Sequence, residues 1–176
     1  MTLPLASSKP STRSEATIVI VGGGIAGATL ATVLSRAGRQ VLVLESTEVF
    51  RDRVRGESMM PWGVAEAQAL GVADLLYAAG AHTSAIWKRY TEGDGTPRDL
   101  PVGYLLPGVR GTLNLQHPVA CQALLDAAAK DGAVVQRGVR DVVVLPGTIP
   151  RVSYWFGGRR FQVDASLVVG ADGRGS

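Results

Sequence analysis

Cysteine and histidine are scarce in this chain of 176 residues, which contains one cysteine and two histidines. The lone Cys121 can form no intramolecular disulfide, so we predict a buried structural thiol. This fits a reducing compartment or indifference to redox state. So few thiol and imidazole groups could hardly build a metal cluster or a nucleophilic triad. The composition therefore argues against an intramolecular disulfide, a metal cluster and a nucleophilic triad.

Long apolar runs and blocks of one charge are also missing. Residues 1–16 are rich in Ser, Thr and Pro and contain no stretch apolar enough for a signal peptide or a membrane span. We expect them to form a flexible leader on a cytoplasmic protein. The net charge of +3 comes from scattered arginines, so no nucleic acid partner is expected. With 46% apolar and 19% charged residues, the rest has the composition of an ordinary globular domain.

The most informative stretch, residues 17–27, reads T-I-V-I-V-G-G-G-I-A-G. An apolar, β-branched run passes through a G-x-G-x-x-G pattern into a helical pattern. Gly22 permits a sharp turn, Gly24 leaves the backbone N–H groups open to a diphosphate, and Gly27 permits close packing of helix on strand. The helix N-terminus adds unpaired N–H donors and a partial positive charge. This order predicts a phosphate-binding strand, turn and helix.

An acidic residue follows at the position where a dinucleotide site needs one. The apolar run 41–44 ends on Glu45, near the spacing of about 20 residues from Gly22 at which a carboxylate binds a ribose hydroxyl pair. A carboxylate there disfavours a 2′-phosphate, so the predicted nucleotide is FAD or NAD rather than NADP. The alternative is an ordinary βαβ unit with a glycine-rich turn.

Two further segments carry candidate ligands. Arg51, Arg53 and Arg55 alternate, which in an extended segment places them on one side. We predict that Arg55 meets the ligand and that Arg51 lies on the surface, with a solvated basic loop as the alternative. Asp172 follows the buried-type strand 167–170 and is expected beside the glycine turn, since ligands sit beyond the carboxyl ends of parallel strands.

The remaining pattern predicts helices, a hairpin and an antiparallel meander around a mainly parallel sheet, which makes the fold class α/β. The predicted helices span 25–37, 61–70, 72–79 and 118–130, the hairpin turns at 92–97, and the meander covers 139–163. The segment 99–115 is broken by Pro and Gly, which favours loops and edge strands over core elements.

These motifs together resemble the FAD domain of flavoprotein monooxygenases of the para-hydroxybenzoate hydroxylase type. The resemblance is carried by V-G-G-G-I-A-G with Glu45, the R-V-R-G-E loop, the helix entry at 117–125 and the final G-A-D-G-R-G-S. It implies a Rossmann-like FAD-binding domain over 17–176, truncated before the substrate-covering part of the family pattern. We therefore expect the chain to be the N-terminal part of a longer enzyme.

The resemblance also assigns cofactor-binding roles, while it assigns no catalytic residue and no metal ligand. It implies diphosphate contacts at Gly22, Gly24, Ala26 and Gly27, a ribose contact at Glu45, a contact near the diphosphate and ribityl region at Arg55, and a ribityl contact at Asp172. The family often carries an arginine where His117 stands, so a cofactor contact from His117 stays open.

The activity that the resemblance implies is a monooxygenation in which FAD carries the redox chemistry and NAD(P)H is a transient reductant. Its substrates would be molecular oxygen and an aromatic or polyketide-like small molecule. Flavin-dependent halogenases and geranylgeranyl reductases share the R-G-E loop, so halogenation and double-bond reduction stay open. A nucleotide-binding module without turnover is a further alternative, and the sequence gives no oligomeric state.

Overall fold

The computed structural model describes residues 17–52, 57–91 and 95–173. The described residues form twelve strands, which are β1 (Ile18–Val21), β2 (Val41–Glu45), β3 (Ser58–Met59), β4 (His82–Ser84), β5 (Ile86–Arg89), β6 (Arg98–Pro101), β7 (Thr112–Asn114), β8 (Val134–Arg137), β9 (Arg140–Leu145), β10 (Arg151–Phe156), β11 (Arg159–Asp164) and β12 (Leu167–Gly170). The α-helices are α1 (Ile25–Arg36), α2 (Pro61–Ala69), α3 (Ala73–Ala78) and α4 (His117–Lys130), and a short 3-10 helix spans Val102–Tyr104.

A four-stranded parallel sheet in the order β12-β1-β2-β8 forms the centre of the domain. Its inner strands are the continuous apolar runs of the sequence, as expected for strands covered on both faces. Val21 pairs with Leu44 on one side and with Gly170 on the other. The carboxyl ends of β12, β1 and β2 therefore meet at one edge of the sheet, as the α/β interpretation predicts.

Helices α1 and α4 cover one face of this sheet. Ala28 and Ala31 of α1 are fully buried, and their small side chains let α4 approach closely. The Thr32 hydroxyl lies 2.9 Å from the carbonyl oxygens of both Ala28 and Leu124, so its proton can bridge the two helices. In the described part of the chain, no helix has the length and hydropathy that crossing a lipid bilayer requires.

The other face is covered by the antiparallel meander β9-β10-β11, in the predicted arrangement. Val152 and Tyr154 point inward and pack against Val19, Leu42 and Leu44 of the central sheet. The Tyr154 ring also stacks on Phe161 with ring centroids 5.6 Å apart. We expect Tyr154, Trp155 and Phe156 from their positions to pack the sheet. Tyr154 and Phe156 do so, whereas for Trp155 the prediction is wrong, because its side chain is 44% exposed.

Two smaller antiparallel sheets complete the fold. Strands β5 and β6 form the predicted hairpin, although residues 92–94 of its turn lie outside the described residues. The prediction of loops and edge strands for 99–115 is wrong for β7, which is the middle strand of β3-β7-β4. A Cβ on Gly111, whose φ is +153°, would clash with the carbonyl oxygen of Ser84. The glycine therefore lets β7 approach β4 instead of ending a strand.

Truncation of Leu124 tests the packing of α4. This side chain is fully buried against the sheet and α1, so Leu124→Ala should lower the free energy of unfolding by about 2–5 kcal/mol. Val134→Ala is the control, because Val134 is 56% exposed and should change stability by less than about 0.5 kcal/mol. Chemical denaturation measures both, and equal effects would contradict the assigned core.

Candidate functional site

The glycine turn between β1 and α1 packs directly against neighbouring backbone, with no side chain in between. Gly22 has a φ of +105°, and a Cβ there would clash with the carbonyl of Ala171 just after β12. A Cβ on the buried Gly27 would clash with the carbonyl oxygen of Gly22. Both positions therefore require glycine, because the backbone segments touch directly.

The N-terminus of α1 is open toward the cavity beside this turn. Gly24 is its N-cap residue, and within the described residues no side chain caps the helix and its first turn carries no acidic residue. A Cβ on Gly24 would have no neighbour within 4 Å. The first N–H groups of a helix need partners and carry partial positive charge, so this cradle fits an anion such as a diphosphate.

Glu45 joins the glycine turn to the loop that follows β2. Its side chain is only 7% exposed, and its Oε2 accepts a hydrogen bond of 2.6 Å from the N–H of Gly23. Its Oε1 accepts another of 2.6 Å from the N–H of Thr47. Each carboxylate oxygen has two lone pairs, so Oε2 can still accept a bond from a ligand hydroxyl. Glu45, the residue predicted to bind the adenosine ribose, thus also holds the glycine turn and the loop after β2 together.

A cavity of about 650 Å³ runs along this edge of the sheet. That volume lies within the range of small-molecule and cofactor sites. Its walls bring together the predicted site residues Gly22, Gly24, Ala26, Glu45 and Asp172. Gly27 lies behind the turn and supports it, whereas Arg55 lies outside the described residues.

Arg137 and Phe50 are parts of the site that sequence reasoning missed. Phe50 lines the cavity, and the Arg137 guanidinium lies 4.2 Å from the centre of its ring. Arg137 also donates a hydrogen bond of 3.2 Å to the carbonyl oxygen of Thr47 and one of 2.6 Å to Oε1 of Gln122. These contacts hold the loop after β2 in place. No local signal marks Arg137, because its role arises from the pairing of β8 with β2.

The β9 wall of the cavity was missed as well. Val139, Asp141 and Val142 line it, although the sequence identifies them only as part of the meander. Arg51 was predicted to lie on the surface, and it is exposed but also lines the cavity. His117, at the first position of α4, is another lining residue and so can reach a bound ligand.

Cys121 lies one turn after His117, with its Sγ atom 3.7 Å from ring nitrogens of that histidine. The thiol is fully buried, and this burial, with a smaller contribution from the Glu45 carboxylate, raises its pKa to about 11. The prediction that this thiol is buried is confirmed, and its raised pKa keeps it protonated at neutral pH. Among the described residues, no three His, Cys, Asp or Glu side chains are grouped for metal binding.

Comparison with known families decides what this arrangement is. A model of the FAD binding domain family matches residues 15–176. The chain belongs to this family. The cradle at α1 and the carboxylate at Glu45 are therefore parts of an FAD-binding domain. This confirms FAD, which the family resemblance implied and which was one of the two nucleotides, FAD and NAD, that the glycine pattern left open.

Several proteins resemble this FAD-binding domain over most of its length. The 6-methylpretetramide 4-monooxygenase of Streptomyces rimosus is 32% identical over 94% of the chain, which spans 40% of that enzyme. The p-nitrophenol 4-monooxygenase of Pseudomonas putida shares the fold with a TM-score of 0.78 at 21% identity, over 92% of this chain and 42% of the other. The myxobacterial chondrochloren halogenase gives a TM-score of 0.75 at 23% identity, over 92% and 38%. This chain thus spans less than half of each.

Two glycine substitutions separate binding from folding. Gly24→Ala adds a methyl group in open space, so the fold should survive while FAD affinity falls at least about tenfold, because the methyl group occupies the diphosphate cradle. Gly27→Ala should lower the free energy of unfolding by about 3 kcal/mol through overpacking. Calorimetric titration with FAD and chemical denaturation measure the two effects. Unchanged FAD affinity in a folded Gly24→Ala protein would contradict the prediction that the diphosphate binds beside Gly24.

Alkylation tests the state of Cys121. At pH 8 the folded protein should react with iodoacetamide roughly a hundredfold more slowly than the unfolded chain, because burial suppresses the thiolate. Folding raises the pKa of Cys121 from 9.0 to about 11. The contribution of this group to the free energy of unfolding is therefore fully present below pH 9.0 and is lost as the pH rises through 11. Mass spectrometry measures the labelling, with Cys121→Ala as the unreactive control. Rapid labelling of the folded protein would contradict the buried site.

Proposed function

We propose that this chain is the FAD-binding part of an NAD(P)H-dependent flavoprotein monooxygenase. The enzyme hydroxylates an aromatic or polyketide-like small molecule with molecular oxygen as co-substrate. The observation that carries the cofactor site is the uncapped N-terminus of α1, which opens into the cavity between Glu45 and Asp172. The relative from Streptomyces rimosus, named as a 4-monooxygenase of 6-methylpretetramide, supports the reaction type and the substrate class.

The residues of the cavity would hold FAD from its diphosphate outward. The N–H groups around Gly24 and Ala26 bind the diphosphate, because no side chain of the described residues caps this helix end. Glu45 binds the adenosine ribose through the remaining lone pair of Oε2, and Asp172 accepts from the ribityl hydroxyls. When bound, FAD supplies the redox chemistry that no side chain of this site possesses.

The contribution of the chain itself is binding and orientation. Glu45 fixes the glycine turn before any ligand arrives, since both of its oxygens already accept backbone hydrogen bonds. Arg137 holds the loop that carries Phe50 against the same cavity. Such preorganisation limits the entropy lost on binding. The interactions at this end of the cofactor are the same throughout turnover, so they set affinity and orientation rather than rate.

Halogenation is a second candidate reaction, because a halogenase shares this fold with nearly the same TM-score as a monooxygenase. Double-bond reduction on the same scaffold is a third. A nucleotide-binding module without turnover is the alternative from another class. These candidates share the cofactor cradle and differ in what reaches the reacting end of the flavin.

Flavin uptake by the purified chain tests the cofactor site, and Glu45→Gln tests whether that site needs both carboxylate oxygens of Glu45. The glutamine amide has only one acceptor oxygen, so its NH₂ group must face the N–H of Gly23 or of Thr47. We expect wild-type protein to bind FAD and Glu45→Gln to bind it at least about tenfold more weakly. Glu66→Gln, an exposed charge change on α2, is the control.

Turnover assays on the FAD-loaded protein separate the candidate functions. Oxygen uptake and NAD(P)H oxidation stimulated by an aromatic compound support the hydroxylase. Incorporation of halide into the substrate supports the halogenase. Reduction of a double bond in the substrate without oxygen uptake supports the reductase. FAD binding with none of these activities means that the chain on its own is a nucleotide-binding module without turnover. A purified chain that takes up no FAD in calorimetry contradicts the proposal itself.

A further inference from the structure

Arg137 ends β8, and its side chain connects three elements of the domain. Its Nε donates a hydrogen bond of 3.2 Å to the carbonyl oxygen of Thr47, and its Nη1 donates one of 2.6 Å to Oε1 of Gln122 on α4. The central carbon of the guanidinium lies 4.2 Å from the centre of the Phe50 ring. One side chain thus joins β8 and α4 to the loop after β2.

Both hydrogen-bonded partners of this arginine are themselves held in place. The Nε2 of Gln122 donates a hydrogen bond of 2.7 Å to Asp126, one turn further along α4, so its Oε1 faces the guanidinium. The N–H of Thr47 donates a hydrogen bond of 2.6 Å to Oε1 of Glu45. The contacts therefore run without interruption from α4 through Arg137 to the residue that is proposed to bind the adenosine ribose.

These contacts leave one donor of the guanidinium without a partner. The Nη2 of Arg137 is shielded from solvent and has no hydrogen-bond partner among the described residues. Such a donor costs free energy, and each one in a native structure requires an explanation. The arginine gives the fold less than its five donors could, while it fixes the position of Phe50, which lines the cavity of the candidate site.

The loop that Arg137 holds has little else to fix its conformation. Residues 46–50 form neither helix nor strand, so side-chain contacts set the position of Phe50. A ring that is free to move must be ordered when a ligand binds, and that ordering lowers affinity. The lining of the cavity, as far as the structure describes it, includes Phe50 and Thr47 but not Arg137. The arginine can therefore act on a ligand only through the loop.

We propose that Arg137 is a positioning residue for FAD, which acts through Phe50 and makes no contact with the cofactor itself. Arginine suits this task, because its planar fork makes two directed hydrogen bonds while its face stacks on an aromatic ring. The inference rests on the proposed function and adds a residue outside the cavity that sets how tightly the cavity binds its cofactor.

Exchanges of Arg137 test this role, with FAD affinity measured by calorimetry on protein that chemical denaturation shows to be folded. Arg137→Met removes both hydrogen bonds and the cationic face over Phe50, so FAD should bind at least about tenfold more weakly. Arg137→Lys keeps the charge but loses the fork, and it should bind as weakly. This milder exchange tests the role even if Arg137→Met does not fold. Arg159→Met removes an exposed arginine on β11 and should keep the wild-type affinity.

A double exchange supplies the readout that a merely structural role would not move. Phe50→Ala alone should weaken FAD binding as Arg137→Met does. In the Phe50→Ala background, where the ring is already absent, Arg137→Met should change the affinity by less than about twofold. Additive losses would overturn the inference, because the arginine would then act by another route.

The single exchanges can overturn the inference as well. Wild-type affinity in the folded Arg137→Met protein would show that the arginine serves the fold alone. Wild-type affinity in Arg137→Lys would assign the effect to charge instead of position. Failure of the wild type to bind FAD would overturn the proposed function together with the inference, whereas FAD binding that no exchange of Arg137 weakens overturns the inference alone.

Discussion

The direct contact of backbone with backbone at the end of β1 is the constraint on which the site depends. Gly22 lies against the carbonyl of Ala171, and Gly27 lies against the carbonyl of Gly22, so three chain segments meet without side chains between them. Any Cβ at these two positions would push α1 away from the sheet. The N-terminus of α1 would then no longer face the edge where β12, β1 and β2 end, and the donors for a diphosphate would be lost.

Glu45 shows how one carboxylate can serve the fold and the ligand. Its hydrogen bonds to Gly23 and Thr47 tie the first and second strand ends together. Those bonds compensate for the burial of a charge that would otherwise be costly. The negative charge beside the helix N-terminus is also favourable, because it faces the positive end of the helix dipole. The two strand ends are therefore joined by hydrogen bonds between residues of the chain itself.

The sequence predicts the parts of the site that lie close together in the chain, and it also predicts Asp172, because that residue directly follows a buried-type strand. The apolar runs, the glycine pattern and Glu45 belong to one continuous βαβ unit, so spacing alone places them. Arg137 and Asp141 depend instead on distant pairings, of β8 with β2 and of β9 with β10 across a bulge. The central position of β7 was missed for the same reason, since Gly111 permits contact with a strand that lies far away in the sequence.

The geometry explains why this domain fits several flavin reactions. In the proposed FAD complex, the N-terminus of α1 and Glu45 would hold groups of the cofactor that do not change during the reaction, so their binding energy would be uniform over substrate and transition state. Selection between hydroxylation and halogenation requires groups that touch the reacting atoms. An FAD cradle therefore sets which cofactor binds and how it is oriented, and the same cradle can serve either chemistry, as the shared fold of a monooxygenase and a halogenase illustrates.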